Sequence, residues 1–285
     1  MKKIGHYILA PIFNRNPALQ HAYRLYRYIK TNKAFFVEPE KISLGFKFNG
    51  NPIMENGKFE IFETTLIKKL LPQADVVINI GANIGYYTCL ALSQNKKTIA
   101  IEPINANLYY LLRNIKANNW EVNAEVFPLA VSDRVGVFEI YGGGTGASLI
   151  KGWSGTPKNE MTLVPATTLD TLFLGRFKNQ KILFIVDIEG AEKFMLDGAI
   201  NFIDMTPKPI WFVEITAHTH QPQGVSVNPF LMETFEKFWE KGYKSWGVTN
   251  GKIVPVTKPD IQNIIETDWH DGEMGNYIFT DFLDI

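Results

Sequence analysis

Four acidic or basic side chains in this 285-residue chain have the type and spacing for proton transfer. Asp187 and Glu189 stand two apart at the end of an apolar run, Ile182-Leu183-Phe184-Ile185-Val186. Alternate positions of a strand share a face, so extension this far would aim both carboxylates into one pocket. Two close carboxylates raise the pKa of one of them, which suits a base working near neutral pH. Glu214 and His218 follow a second apolar run, Ile210-Trp211-Phe212-Val213. The ordinary pKa of histidine lies close to operating pH, so His218 is a candidate general base. These residues, with His220, have the types for a divalent-metal site, but that needs several long-range juxtapositions, and no metal is expected.

A different chemistry is written upstream. Val76-Val77-Ile78-Asn79-Ile80 reads as a buried strand, and Gly81-Ala82-Asn83-Ile84-Gly85 as a tight turn into a helix starting near Tyr86. Gly81 and Gly85 let a ligand approach the backbone, and a helix N-terminus favours polar or anionic ligand atoms. A second strand, Thr98-Ile99-Ala100-Ile101, ends at Glu102, about twenty residues past the turn, where an acid can bind both hydroxyls of a ribose. Together these features describe a nucleoside pocket. Asn83 occupies the middle-glycine position of the G-x-G-x-x-G fingerprint, which disfavours a nicotinamide dinucleotide and an oxidoreductase.

The stretch Ile78-Asn79-Ile80-Gly81-Ala82-Asn83-Ile84-Gly85-Tyr86-Tyr87-Thr88 resembles the first motif of the FkbM family of S-adenosylmethionine-dependent methyltransferases. Three more segments are similar to that family in the same order: Ala130-Val131-Ser132-Asp133, Thr168-Leu169-Asp170-Thr171-Leu172 and Val186-Asp187-Ile188-Glu189-Gly190-Ala191-Glu192. The last is the most family-specific. The resemblance implies S-adenosylmethionine as cofactor. It makes Asn79, Gly81, Ala82, Asn83, Gly85, Tyr87, Thr88, Glu102 and Pro103 cofactor-binding candidates, with Asn79, Gly81 and Asn83 at the methionine end and Glu102 at the ribose. Ser132 and Asp133 fall at the adenine, and Asp187 beside the methyl group. The family has an acid at position 79 that holds the cofactor's ammonium; Asn79 can accept a hydrogen bond but carries no charge, so weaker binding is expected. The implied reaction is O-methylation of a sugar, glycan precursor or natural product, with Asp187, Glu189, Glu214 and His218 as the catalytic candidates. The alternative is a non-catalytic binding module of the same fold, its cofactor affinity lost through Asn79.

The elements that must hold these residues alternate. Strands are predicted near 75–80, 97–102, 124–131, 135–141, 181–188, 208–216, 243–256 and 276–282. Helices are predicted near 60–71, 86–94, 105–118, 190–203 and 228–241, with short strands inside 42–62. Such alternation implies an α/β fold with parallel strands and right-handed crossovers, ligands lying beyond the carboxyl ends. The class is a Rossmann-like class I methyltransferase fold with a mostly parallel seven-stranded sheet and helices on both faces. Residues 1–58 are read as an N-terminal extension and 59–285 as the methyltransferase domain. Gly142-Gly143-Gly144-Thr145-Gly146-Ala147-Ser148 is equally readable as a lid hinge or a plain hairpin turn.

Composition bounds the rest. Net charge is zero, which argues against a nucleic-acid partner. Residues 1–37 nevertheless carry seven Lys or Arg and no Asp or Glu. Within them Pro17 to Thr31 is predicted as a basic, aromatic helix, fit for peripheral contact with an anionic membrane, or for packing across the domain or a second subunit of a homodimer. The single cysteine, Cys89, fits a reducing compartment; no run is long enough to span a membrane, and a cytoplasmic protein is expected.

Overall fold

The computed structural model describes residues 37–157, 160–249, 251–267 and 275–284. The helix expected over Pro17 to Thr31 lies outside them. The first described strands, β1 (Glu40–Lys41) and β2 (Lys47–Phe48), form a small antiparallel pair, followed by a one-turn helix at Pro52–Glu55 capped by the Asn51 side chain. Helix α1 (Ile61–Leu70) then leads into β3 (Val76–Ile80), α2 (Tyr86–Ser93), β4 (Lys97–Ile101), α3 (Asn105–Ala117) and β5 (Ala124–Phe127). Strands β6 (Ala130–Val131), β7 (Gly136–Tyr141) and β8 (Met161–Thr167) follow. The second half comprises β9 (Ile182–Val186), α4 (Glu192–Asp197), β10 (Ile210–Glu214), α5 (Leu231–Trp239), β11 (Lys244–Thr249), β12 (Lys252–Val256), α6 (Lys258–Glu266) and β13 (Asn276–Thr280).

The main sheet has the order β12-β11-β13-β10-β9-β3-β4-β5. Strands β5, β4, β3, β9 and β10 run parallel; β13, β11 and β12 add antiparallel at one end. All five residues of β3 are buried, because helices cover both faces. Val76, Ile78 and Ile80 enter one apolar cluster with Phe184 and Trp211, whose rings stack with centroids 3.8 Å apart. A stacked pair of this kind adds about 1 kcal/mol beyond its buried area. Val77 enters the opposite cluster with Tyr86 and Cys89, and Ile42, Phe46, Phe48 and Met54 belong to that same cluster. The described part of the expected N-terminal extension therefore packs into the body of the domain. Cys89 is fully enclosed and its thiol pushed well up by burial, as befits an inert core residue.

Each of the eight predicted strand ranges holds a strand, but the main sheet has eight strands where seven were expected, and three details differ. The segment 243–256 is a hairpin, β11 and β12, which adds an eighth strand; the Asn250-Gly251 pair between its arms is a hairpin signal in the sequence. The run 124–131 breaks at Pro128, which cannot donate to a ladder, so β5 stays in the main sheet while β6 leaves it. Strand β7 leaves with it, and both pair with β8, an element the sequence reading missed, in a separate three-stranded sheet. That sheet packs Ile140, Val164 and Ala166 against Ile104, Ala147 and Leu149, beside the carboxyl edge of the main sheet. Among the described residues no helix is long and apolar enough to cross a membrane.

Candidate functional site

The carboxyl ends of β3, β4 and β9, together with β6, enclose one cleft of about 560 Å³ including its open mouth. Gly81 and Asn83 line it after β3, Glu102, Pro103 and Ile104 after β4, and Asp187 and Glu189 after β9. Backbone geometry explains why the turn carries glycine. Gly81 has φ of 76°, and a Cβ there would lie 1.7 Å from the Asp187 carbonyl oxygen, so β3 and β9 meet edge to edge only without a side chain.

Glu102 is the polar centre of the cleft. It is 3% exposed. Its Oε1 accepts from the Ile104 amide at 2.8 Å and from Asn107 Nδ2 at 3.2 Å; its Oε2 accepts only from the Asn83 amide, at 2.8 Å. A carboxylate offers about four acceptor directions, so Oε2 keeps one for a ligand hydroxyl. Burial raises the Glu102 pKa, and the three donors offset part of that. Beside it, Ile101, Leu129, Val131, Ile140 and Leu149 make an apolar wall for a planar base. A cleft of this size, apolar with one oriented carboxylate, fits a nucleoside cofactor.

Strand β9 ends at Val186, before the pair Asp187 and Glu189. Both still line the cleft, through a turn in which Glu189 has φ of 55° and Gly190 92°, rather than through strand alternation. Glu189 is clamped. Its Oε2 accepts from Trp153 Nε1 at 2.7 Å, and its carbonyl accepts from Ser148 Oγ at 2.5 Å. The Trp153 ring packs against Gly190, where a Cβ would sit 2.4 Å from it. The segment 142–157 thus straps over the cleft: Gly144 and Ala147 line it, and Asn107 Nδ2 ties the Gly144 carbonyl at 3.1 Å. Asp187 has no such clamp. Burial, then the neighbouring Glu214 and Glu189 charges, hold its carboxyl well above the usual carboxylate range. Glu214 is itself pushed up to about 8, and buried Glu192, which caps the turn through the Gly190 amide, to about 7.

Several expected residues stand elsewhere. Asn79 faces away from the cleft, its Nδ2 donating to Thr88 Oγ1 at 3.0 Å in the buried β3–α2 contact. Ala82 packs in a cluster with Leu111, and Gly85 backs onto the same leucine. Tyr87 reaches Glu60, to which its hydroxyl donates. Ser132 and Asp133, expected at the base, follow the residues that line the cleft there, Leu129, Ala130 and Val131; Ser132 is buried against Gly198, and Asp133 pairs with Arg134 at 2.9 Å. His218 is not among the residues lining the cleft: its Nδ1 lies 3.0 Å from the Ser226 carbonyl and its Nε2 2.9 Å from the Ile264 carbonyl. Glu214 stands behind Asp187 and acts on it through its charge without lining the cleft. Asn107, Trp153 and Glu60 were not singled out from sequence; only the place of Asn107 one turn into the helix after Glu102 could have signalled the first. Among the described residues no group of three or more His, Cys, Asp or Glu is arranged to hold a metal ion.

Sequence comparison matches residues 79–245 to the family model described as the methyltransferase FkbM domain, more than half of the chain. No curated protein matches the chain. Solved structures of related shape include precorrin-6y C5,15-methyltransferase from Geobacter metallireducens GS-15, at 12% identity and TM-score 0.42 over 81% of this chain and 92% of that one. An O-methyltransferase from Bacillus cereus in complex with SAH aligns at 10% identity and TM-score 0.43, covering 77% and 80%. A TehB-like SAM-dependent methyltransferase from Corynebacterium glutamicum aligns at 11% and 0.41, covering 93% and 99%. With the domain match spanning all three strand ends that build the cleft, the chain belongs to the FkbM family of methyltransferases, and S-adenosylmethionine is its cofactor.

Proposed function

We propose that the protein methylates a hydroxyl of a sugar, glycan precursor or natural product, in the cytoplasm, with Asp187 as general base. The observation that carries this reading is the contrast between the two carboxylates of the β9 turn. Glu189 is fixed by Trp153, whereas Asp187 lines the cleft with a raised pKa and, among the described residues, no hydrogen bond to its side chain. A hydroxyl acceptor needs a base; an amine already carrying a lone pair needs less help.

When bound, the cofactor supplies a methyl group on a sulfonium, which a nucleophile displaces in line to leave a neutral thioether. Glu102 holds the ribose through Oε2, and the wall of Leu129, Val131 and Leu149 excludes water from the base. Glu189 orients the acceptor hydroxyl with the oxygen that Trp153 leaves open. Asp187 would take the acceptor's hydroxyl proton as the methyl group passes to its oxygen, the C–S bonding pair remaining with the departing thioether, so that the carboxylate ends neutral.

The test is transfer of labelled methyl from S-adenosylmethionine to a panel of sugars, nucleotide-linked sugars, hydroxylated natural products and amines. Label in base-stable ethers, lost in Asp187→Asn, supports the reading. Label confined to amines, or full turnover in the variant, overturns it.

A further inference from the structure

Asp187 lines one end of the cleft, and Glu60 and Glu214, which do not line it, stand near enough for their charges to act on it. The charges acting on Asp187 and Glu214 all come from other acids, with Glu60 the foremost charge on Glu214. Among the described residues none donates a hydrogen bond to the side chains of Asp187 and Glu214, while Tyr87 donates to Oε2 of Glu60. Like charges gathered in a partly buried place are unfavourable unless a cation joins them. The sulfonium and ammonium of the cofactor are such cations.

Glu60 is held there at some cost. It precedes α1 in the left-handed region, φ 38° and ψ 59°, where a non-glycine residue is uncommon. Phe59 fixes the approach by packing on Tyr86 at 5.1 Å and Tyr87 at 6.3 Å between ring centroids. Tyr87 opens α2, directly after the glycine turn, and seats Oε2, leaving Oε1 without a described partner. Asn79 on β3 is neutral and its amide is spent on Thr88. Glu60 lies outside the matched region 79–245.

We propose that Glu60, positioned by Tyr87, holds the ammonium of the cofactor's methionine end. This rests on the cofactor assignment above and adds a binding residue from before the family domain. It makes this chain's cofactor affinity depend on the segment ahead of β3.

The experiment is calorimetric titration of the full chain with two ligands. S-adenosylhomocysteine carries the ammonium; 5′-methylthioadenosine has the same nucleoside and lacks the amino-acid end. Glu60→Gln keeps the shape and the Tyr87 contact and removes the charge. It should weaken S-adenosylhomocysteine about ten- to a hundredfold, the loss of one charge-assisted hydrogen bond, and leave methylthioadenosine within about twofold. Tyr87→Phe keeps the charge but frees its position, and should give a smaller loss on the same ligand alone. Equal weakening of both ligands would mean a structural role, and no change in either would remove Glu60 from the site; both outcomes overturn the proposal. Failure of the wild-type chain to bind either ligand would instead overturn the cofactor reading on which it rests.

Discussion

Replacing Glu102 by Gln tests the ribose contact with a change of one atom's chemistry. The carboxylate holds three protein donors and keeps one acceptor direction on Oε2. An amide has only one oxygen. If that oxygen faces Ile104 and Asn107, the new NH₂ faces both the Asn83 amide and the ligand, so a donor opposes a donor. The ligand then loses a hydrogen bond to a charged acceptor, about 1.5–3 kcal/mol. At 1.4 kcal/mol per decade this is about a ten- to 150-fold rise in the Kd for S-adenosylhomocysteine. Methylthioadenosine should weaken by the same factor, because it shares the ribose. Titration calorimetry reads both, and a thermal melt checks the fold: losing the Asn83 bond costs about 1–2 kcal/mol, a fall of several degrees. A Glu102→Gln protein that melts within that range and binds both ligands as tightly as wild type would refute the reasoning.

Asp187→Asn should lower kcat by about a hundred- to ten-thousandfold while S-adenosylhomocysteine still binds, read by single-turnover methyl transfer and calorimetry. A base acts when ionised, so wild-type kcat/KM should rise with pH along a limb displaced above the ordinary carboxylate range; Glu214→Gln, which removes the largest charge acting on Asp187, should move that limb to lower pH. The same raised groups make the ligand-free fold pH-sensitive. Glu214 rises from 4.5 to about 8 on folding, so its stabilising share is complete below 4.5 and is lost as pH climbs through 8; the Tm should fall over that window, less so in Glu214→Gln. Trp153→Phe removes the Nε1 bond to Glu189 and should raise the acceptor KM about tenfold or more with little change in S-adenosylhomocysteine affinity, measured by steady-state kinetics. Asn79→Asp puts a charge where only the Thr88 hydroxyl can answer it, so it should lower the Tm and change S-adenosylhomocysteine affinity by less than about threefold.

What could be read from the chain is what the backbone decides locally. That Gly81, Asn83, Glu102 and Asp187 would lie along one cleft was legible, because a strand, a glycine turn and the next strand's end fix the first three within about twenty residues of one another and Asp187 stands at a neighbouring strand end. The sheet followed from the alternation of buried strands and helices for the same reason. What escaped depends on distant partners. Trp153 matters only because Gly190 and Glu189 come under it, 36 residues away for the latter. The contact of His218 Nε2 with the Ile264 carbonyl, 46 residues on, was likewise out of reach of the local sequence. Strand β7 read as a continuation of the main sheet because the Pro128 break redirects the chain without changing the apolar pattern around it. Glu60 carried no motif at all; its place becomes visible only through Tyr87 and the carboxylates beyond it.

The most direct test of the central claim is a crystal structure of the chain with S-adenosylhomocysteine. The account predicts the ligand in the cleft between β3, β4 and β9, a ribose hydroxyl on Glu102 Oε2 and its base against Leu129 and Val131. A ligand bound elsewhere, or a nucleoside that leaves Glu102 untouched, would contradict it.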